Sequence, residues 1–311
     1  MKLSIVVPVY YNEDNLHPLY DDIKKKIIDV IDYQYEIVFV NDGSKDRSLE
    51  VLKELSAKDN NIKVISLSRN FGSHAAILCG LSHSTGDCAV VKAADIQEPT
   101  ELILDMVDSW KKGNNVVLAV RADRKEKFSQ KLFANFYYSI VRKFALPSMP
   151  KNGFDVYLLD KKVVKTLTQF NEKNSALTGQ ILWSGYTTSL VPYVRQAREI
   201  GKSRWTLKKK IRLVMDTLFS FSTVPISAIT AVGTVSCLGA VIWAAFILFA
   251  KISGKIPVQG YTTLLMFNLL SFGVIMLTLG ILGEYLWRTF DASRNRPPFI
   301  IEEEININDK L

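Results

Sequence analysis

Three polar segments of the chain each follow a short run rich in β-branched residues, and their side chains could bind a polar ligand. The segments are Pro8–Glu13, Asn41–Asp46 and Ala93–Pro99. Their carboxylate and amide oxygens can accept hydrogen bonds or bind a hard metal ion, and their tyrosines offer faces for stacking. Taken singly, each segment is also a common turn, with Ser44 suited to a helix N-cap and Asp46 to a first helical turn. The three segments become informative only when they are considered together.

The elements that must position these segments alternate along residues 1–120. Short apolar runs predict five strands, Leu3–Val9, Glu36–Asn41, Ile62–Ser68, Cys88–Lys92 and Val116–Val120. Helical patterns between them predict three helices, Asn15–Ile31, Asp46–Lys58 and Ser73–Ser84. This alternation is typical of an α/β protein with a mostly parallel sheet. Ligands of such sheets bind beyond the carboxyl ends of the strands, which is where the three polar segments lie.

The composition narrows the function classes. The chain has 311 residues, of which 48% are apolar, so a buried core is expected and a wholly disordered protein is excluded. The net charge of +8 suits nucleic acid, an anionic lipid surface or phosphorylated substrates. Neither GxGxxG after a strand nor GxxxxGK[ST] occurs, which argues against an oxidoreductase or a P-loop NTPase. The three cysteines have no CxxC spacing, so no disulfide framework or zinc site is expected.

The C-terminal third contains two long uncharged runs that predict a membrane hairpin, because a spanning helix needs about 20 apolar residues. Basic residues crowd just before the first span and just after the second, so both termini are expected in the cytoplasm. The strongest basic patch lies next to the first span rather than away from the membrane, which argues against a nucleic-acid partner. The predicted organisation is a catalytic domain (1–205), an amphipathic interfacial helix (206–225), a hairpin (226–288, with spans 226–250 and 261–283) and a cytoplasmic tail (289–311).

Several motifs of the chain, in this order, closely resemble those of one enzyme family. The motifs are Ser68-Arg69-Asn70-Phe71-Gly72, Ala94-Asp95-Ile96-Gln97-Glu98-Pro99, Arg121 with Arg124, Gly201-Lys202-Ser203-Arg204-Trp205, and Arg296-Pro297-Pro298-Phe299 after the spans. They resemble the inverting family-two glycosyltransferases with the GT-A fold. Within that family the chain looks like the polyprenyl-phosphate glycosyltransferases, relatives of dolichyl-phosphate mannose synthase and of bacterial enzymes that load a sugar onto undecaprenyl phosphate.

The resemblance implies a fold, a reaction and a location. The fold is an α/β GT-A catalytic domain, Rossmann-like with a mostly parallel sheet, followed by the interfacial helix and two transmembrane helices. The reaction transfers a sugar to undecaprenyl phosphate for modification of cell-envelope glycans. The expected sugar is glucose, from UDP-glucose as the donor. The location is the bacterial cytoplasmic membrane, and the expected partners are the nucleotide sugar, the lipid, the membrane and further copies of the chain.

The same resemblance assigns roles to individual residues. The donor nucleotide is expected at Pro8, Tyr10, Glu13, Asp42, Arg69, Ala94 and Asp95. The acceptor phosphate is expected at Arg121, Lys131, Lys202, Ser203 and Arg204. Catalysis is assigned to Asp95, Arg121 and Arg124. No general base is needed, because a phosphate monoester with a second pKa near about 6 is substantially dianionic at neutral pH.

A divalent metal, Mg²⁺ or Mn²⁺, is also implied, with Asp95 and Gln97 as its protein ligands. The chain departs from the family pattern here, because Ala93 replaces the first metal-binding aspartate, and Asn41 replaces another common acid. Metal binding is therefore expected to be weak without the nucleotide, since donor phosphates and water must supply most ligands. The departures leave a catalytically impaired scaffold open as an alternative, and UDP-GlcNAc or another nucleotide sugar remains an alternative donor.

Overall fold

The structure is a computed structural model that describes residues 1–122, 138–170, 172, 175–195, 207–253 and 260–307. The chain divides into two compact units. The first comprises residues 1–217 together with 296–311, and the second comprises residues 218–295. Each unit is described by itself below.

The first unit is built on a mostly parallel sheet that has eight strands within the described residues. The strands are β1 (Lys2–Val9), β2 (Gln34–Asn41), β3 (Ile62–Leu67), β4 (Cys88–Val91), β5 (Val116–Arg121), β6 (Val156–Asp160), β7 (Thr188–Tyr193) and β8 (Ile301–Ile305). Their order across the sheet is β7-β5-β6-β4-β1-β2-β3-β8. Strand β6 runs antiparallel to both neighbours and β8 runs antiparallel to β3, whereas the other neighbouring pairs are parallel. The predicted α/β class and the predicted positions of β1 to β5 are confirmed.

Helices connect these strands at the predicted places and at several others. They are α1 (Glu13–Ile23), continued by a π-helical turn (Lys24–Ile28), α2 (Ser48–Lys58), α3 (Ser73–Ser82), α4 (Leu102–Lys111), α5 (Lys161–Thr168), α6 (Leu177–Trp183) and α7 (Leu207–Phe221). Residues 138–144 are also helical. The helix predicted for Asn15–Ile31 corresponds to α1 with its π-helical turn, so the regular α-helix ends earlier than the prediction.

Both faces of the central strands are covered, which explains why β1 and β2 are almost continuously apolar. On one face Ile5 and Phe39 belong to a buried cluster that also contains Leu16 and Leu19 of α1. On the other face α3 lies so close to the sheet that a Cβ on Gly80 would be 2.4 Å from a methyl group of Val6. The sheet is thereby fixed from both sides.

The carboxyl ends of β1, β2, β3, β4, β5 and β7 lie at one edge of the sheet, because these strands share one direction. We call this the carboxyl edge. The reversed direction of β6 brings its first residue, Val156, opposite Ala119 near the end of β5. The segment before β6, which contains Asp155, therefore reaches the same edge as the polar segments that follow β1, β2 and β4.

The C-terminal range 289–311, which the sequence predicts as a tail, contains regular secondary structure within its described residues. Residues of the range 289–311 include the end of a helix at Ser293 and the strand β8, which extends the sheet beyond β3. Asn306 fastens this strand, since its Nδ2 donates to the carbonyl oxygens of Ser56 and Ile62 at 2.9 and 3.1 Å. The run of glutamates inside β8 conceals its strand character from sequence patterns, because the strand lies at an outer position where acidic side chains remain solvated.

The second unit contains two long apolar helices, α8 (Val224–Ile252) and α9 (Tyr261–Ser293). By length and composition both are able to cross a membrane, at Val224–Trp243 and Leu270–Ser293 within the described residues. Their apolar side chains are exposed, with 71% of Phe249 and 71% of Leu286 accessible. Exposed apolar surface on this scale is typical of helices that face lipid.

Candidate active site

The segments after β1 and β2 are tied to each other at the carboxyl edge. The N–H of Tyr11 donates to Ser44 Oγ at 3.0 Å, and the N–H of Arg47 donates to Glu13 Oε2 at 2.7 Å. The ring of Tyr10 meets that of Tyr11 edge-on, with 4.7 Å between centroids. Glu13, predicted to bind the donor nucleotide, therefore joins the starts of α1 and α2, and Tyr10 lies just beyond the end of β1.

Asp42, which directly follows β2, holds the segment after β3 beside the segments that follow β1 and β2. Its Oδ1 accepts from the N–H of Phe71 at 2.7 Å and its Oδ2 accepts from the N–H of Gly72 at 3.0 Å. Burial raises the pKa of Asp42 although these two N–H groups act in the opposite direction. Gly43 allows the close approach, because a Cβ there would lie 2.4 Å from the carbonyl carbon of Arg69. Asp42 thus fixes the position of the segment that carries Arg69.

The other predicted donor residues lie on the same part of the edge. Pro8 is half-buried in β1 opposite Val40, and Ala94 is buried after β4. Arg69 is exposed, and its guanidinium lies over the ring of Phe71 at 4.0 Å from the centroid. The structure therefore brings Pro8, Tyr10, Asp42 and Arg69 together around the ends of β1, β2 and β3.

The segment after β4 has a strained backbone between the two predicted metal ligands. Ile96, between Asp95 and Gln97, has a φ of +52°. A left-handed conformation at a β-branched residue is rare and costs roughly 1–3 kcal/mol, and such strain concentrates at functional sites. The conformation turns Asp95 and Gln97 in directions that a regular backbone would not give them.

Two charged residues at this segment, Lys92 and Glu98, are buried. Lys92 is 2% exposed, and its Nζ donates to the carbonyl oxygen of Glu98 at 2.9 Å. Burial lowers the pKa of Lys92, against the attraction of Glu98, Asp22 and Asp95. Burial and the repulsion of Asp95 raise the pKa of Glu98. The hydrogen bond from Lys92, which directly follows β4, therefore fixes the segment from the protein interior.

Arg195, two residues beyond β7, reaches this segment from the side. Its Nη2 donates to Gln97 Oε1 at 2.6 Å. A guanidinium on that oxygen opposes the binding of a metal ion to it, because the two cations repel each other. Within the described residues no group of three or more His, Cys, Asp or Glu side chains could hold a metal ion. Of the two predicted protein ligands, Asp95 fits a divalent ion better than Gln97, and phosphate oxygens of a bound nucleotide would have to supply most of the other ligands.

Arg121 ends β5 and pairs with Asp155, whose carboxylate accepts a hydrogen bond from Arg121 Nη2. Burial lowers the pKa of Arg121, but the neighbouring Asp155 carboxylate outweighs it and leaves the pKa raised. Asn152 Nδ2 also donates to the carbonyl oxygen of Arg121 at 2.8 Å. The predicted catalytic and acceptor-binding residue is thus a permanently charged group held at the carboxyl edge.

Five predicted residues lie outside the residues that the structure describes, namely Arg124, Lys131, Lys202, Ser203 and Arg204.

Two residues that the sequence analysis did not select, Lys92 and Arg195, donate hydrogen bonds to the segment after β4. A lysine at the end of a buried strand was a usable signal for Lys92. Arg195 follows the half-exposed strand β7, whose short pattern was not recognised as a strand.

The fold and this edge define a class, the GT-A-like α/β proteins that present polar segments beyond the carboxyl ends of a mixed sheet. The chain belongs to glycosyl transferase family 2, whose profile matches residues 4–175, and it is therefore a glycosyltransferase.

Relatives are similar over nearly their whole length. The chain is 37% identical over 311 residues to the uncharacterized glycosyltransferase YkcC of Bacillus subtilis, covering 100% of this chain and 96% of that protein. It is 34% identical over 303 residues to the prophage bactoprenol glucosyl transferase homolog of Escherichia coli, covering 97% of this chain and 99% of the relative.

Among solved structures, the glucosyl-3-phosphoglycerate synthase of Mycobacterium tuberculosis, crystallised with Mn²⁺, UDP and glucosyl-3-phosphoglycerate, is 15% identical. The alignment has a TM-score of 0.48 and covers 70% of this chain and 78% of that one.

Proposed function

We propose that the chain transfers a sugar from a nucleotide-diphosphate donor to undecaprenyl phosphate, with UDP-glucose as the preferred donor. The observation that carries the proposal is the carboxyl edge, where the segment with Asp95 follows β4 and Arg121 ends β5 in a family 2 glycosyltransferase. The relatives named bactoprenol glucosyl transferases support a polyprenyl phosphate acceptor, because their similarity includes the apolar C-terminal third. The two long apolar helices support a position at the membrane, where such a lipid resides.

The reaction is a single displacement. An oxygen of the lipid phosphate attacks the anomeric carbon, the bond from that carbon to the donor phosphate breaks, and UDP leaves with the electron pair. The configuration at the anomeric carbon inverts. No protein base is required, because the attacking phosphate is already largely dianionic at neutral pH.

The protein must bring two anions together and stabilise the charge on the leaving UDP. In the proposed arrangement Tyr10, Asp42 and Arg69 form the nucleoside side of the pocket. Asp95 orients the donor sugar, and Arg121, held by Asp155, faces the acceptor phosphate. Arg124, Lys131, Lys202, Ser203 and Arg204 are proposed to complete the acceptor site.

A divalent ion, Mg²⁺ or Mn²⁺, is proposed to bind through Asp95 and the donor diphosphate, and when bound it would neutralise the diphosphate. Gln97 is a weaker candidate ligand than the sequence predicts, because Arg195 donates to its oxygen. Since Ala93 supplies no second carboxylate, the ion should bind together with the nucleotide rather than before it.

The test is an assay of the purified full-length protein in detergent with undecaprenyl phosphate and a panel of nucleotide sugars. UDP-glucose, UDP-GlcNAc and GDP-mannose are each tested with Mg²⁺, with Mn²⁺ and with chelator, and lipid products are detected by mass spectrometry. We expect undecaprenyl monophosphate hexose from UDP-glucose. Absence of any glycosylated lipid with every donor would refute the proposal and favour the scaffold alternative.

A further inference from the structure

We propose that Arg195 is a phosphate-binding residue of the donor site, where its guanidinium contacts the diphosphate of the nucleotide sugar. The inference rests on the proposed function and extends it to a residue outside the family motifs described above. Two features of Arg195 carry the inference, namely its hydrogen bond to Gln97 and its buried Nε atom.

The first observation is that Arg195 is oriented by the protein. Its Nη2 donates to Gln97 Oε1 at 2.6 Å, a short bond for a charged donor. Strand β7 is parallel to β5, so Arg195 leaves the sheet at the same edge as Arg121. The guanidinium is planar, so fixing one of its nitrogens restricts the directions of the others.

The second observation is an unused donor on the same group. The Nε atom of Arg195 is buried, and no residue that the structure describes accepts a hydrogen bond from it. A buried N–H without an acceptor is costly, which indicates that a ligand supplies the missing oxygen. A phosphate oxygen matches the donor, because guanidinium groups bind phosphate through adjacent N–H groups.

The position of Arg195 favours the donor diphosphate over the acceptor phosphate. Gln97 belongs to the segment that carries Asp95, which is proposed to meet the donor, whereas Arg121 lies with Asp155 on the acceptor side. Ala93 also leaves this segment with one carboxylate fewer than the family pattern. A fixed arginine beside it supplies positive charge that does not depend on recruiting a metal ion.

The experiment compares binding of UDP and of uridine to the full-length protein in detergent, by titration calorimetry for UDP and by competition for uridine. Arg195→Gln should weaken UDP binding by about 10-fold to 100-fold, as expected for one charge-assisted hydrogen bond, and leave uridine binding unchanged. Arg195→Lys should recover part of the UDP affinity, because it keeps the charge without the planar donor set. The matched control is Arg47→Gln, since Arg47 is an exposed arginine whose side chain pairs with Glu50.

Two results would overturn the inference. The first is unchanged UDP affinity in Arg195→Gln, and a raised KM for undecaprenyl phosphate in the same variant would then assign the guanidinium to the acceptor. The second is an equal loss of UDP and uridine binding, because it would show that Arg195 only positions the segment that carries Asp95. If the unaltered protein bound no nucleoside diphosphate at all, the proposed function itself would fail, which is a distinguishable outcome.

Discussion

The two ends of the parallel strands carry buried carboxylates in opposite electrostatic conditions. At the amino ends Glu36 is 1% exposed, yet it accepts hydrogen bonds from Ser4 and from both the N–H and the Oγ of Thr85. Lys2 and Lys63 add ion pairs to it at 2.7 and 3.0 Å. Burial alone would raise the pKa of Glu36, but these partners lower it to about 2.

At the carboxyl edge the buried carboxylates are less well compensated. Burial raises the pKa of both Asp42 and Glu98, and the backbone of Ile96 is strained. An arrangement that costs folding energy is retained where a ligand can supply the missing partners. The comparison indicates that the amino ends stabilise the fold, whereas the carboxyl edge is kept ready for substrates.

The largest expected difference between the two ends of the strands is the loss of turnover in Asp95→Asn at the carboxyl edge. Removing the carboxylate charge while keeping the side-chain shape should lower turnover by at least about 100-fold. Stability should change by less than about 1 kcal/mol, because the lost attraction of Asp95 for Lys92 is offset by the lost repulsion of Glu98. Product formation and thermal unfolding in detergent measure the two effects. Full turnover in this variant would remove Asp95 from the mechanism.

Glu36→Gln should show the reverse behaviour. Breaking a buried ion pair by neutralising one partner should lower the free energy of unfolding by about 3 kcal/mol. The specific activity of the folded fraction should remain that of the unaltered protein, because Glu36 lies at the far ends of the strands. Differential scanning fluorimetry and an assay at low temperature test this pair of expectations. Equal stability of the two proteins would contradict the assignment of Glu36 as a structural anchor.

The pH dependence of stability should reveal the same anchor. The pKa of Glu36 is lowered in the folded protein from its ordinary 4.5 to about 2. Its contribution is therefore present above pH 4.5 and is lost as the pH falls towards 2, because the unfolded chain takes up the proton first. The melting temperature should fall more steeply through this window in the unaltered protein than in Glu36→Gln. Parallel curves would show that other carboxylates control the acid sensitivity.

The smallest expected effect concerns the strand added by the C-terminal residues. Asn306→Ala removes two hydrogen bonds to backbone carbonyls and places alanine at a φ of +56°, which should cost about 1–2 kcal/mol. Asn306→Gly serves as the matched control, since glycine tolerates this φ and, like alanine, cannot donate the two hydrogen bonds. Thermal unfolding should rank the unaltered protein above glycine and glycine above alanine. Activity of the folded protein should not change in either variant.

The sequence was sufficient for the parts of the fold that depend on local pattern. Strands β1 to β5 and the segments after them are predictable, because buried parallel strands are continuous apolar runs that end in polar turns. Strand β8 escaped prediction because Glu302, Glu303 and Glu304 interrupt any apolar pattern. The pairing of Arg121 with Asp155 depends on the reversed direction of β6, a tertiary property that no local pattern carries.

The measurement that tests the central claim most directly is the anomeric configuration of the lipid product. If a lipid phosphate displaces UDP in one step, UDP-α-glucose must yield a β-linked undecaprenyl phosphate glucose, which proton and phosphorus NMR couplings identify. An α-linked product would contradict the inverting single displacement, because retention of configuration requires either two successive displacements or attack from the face that UDP leaves.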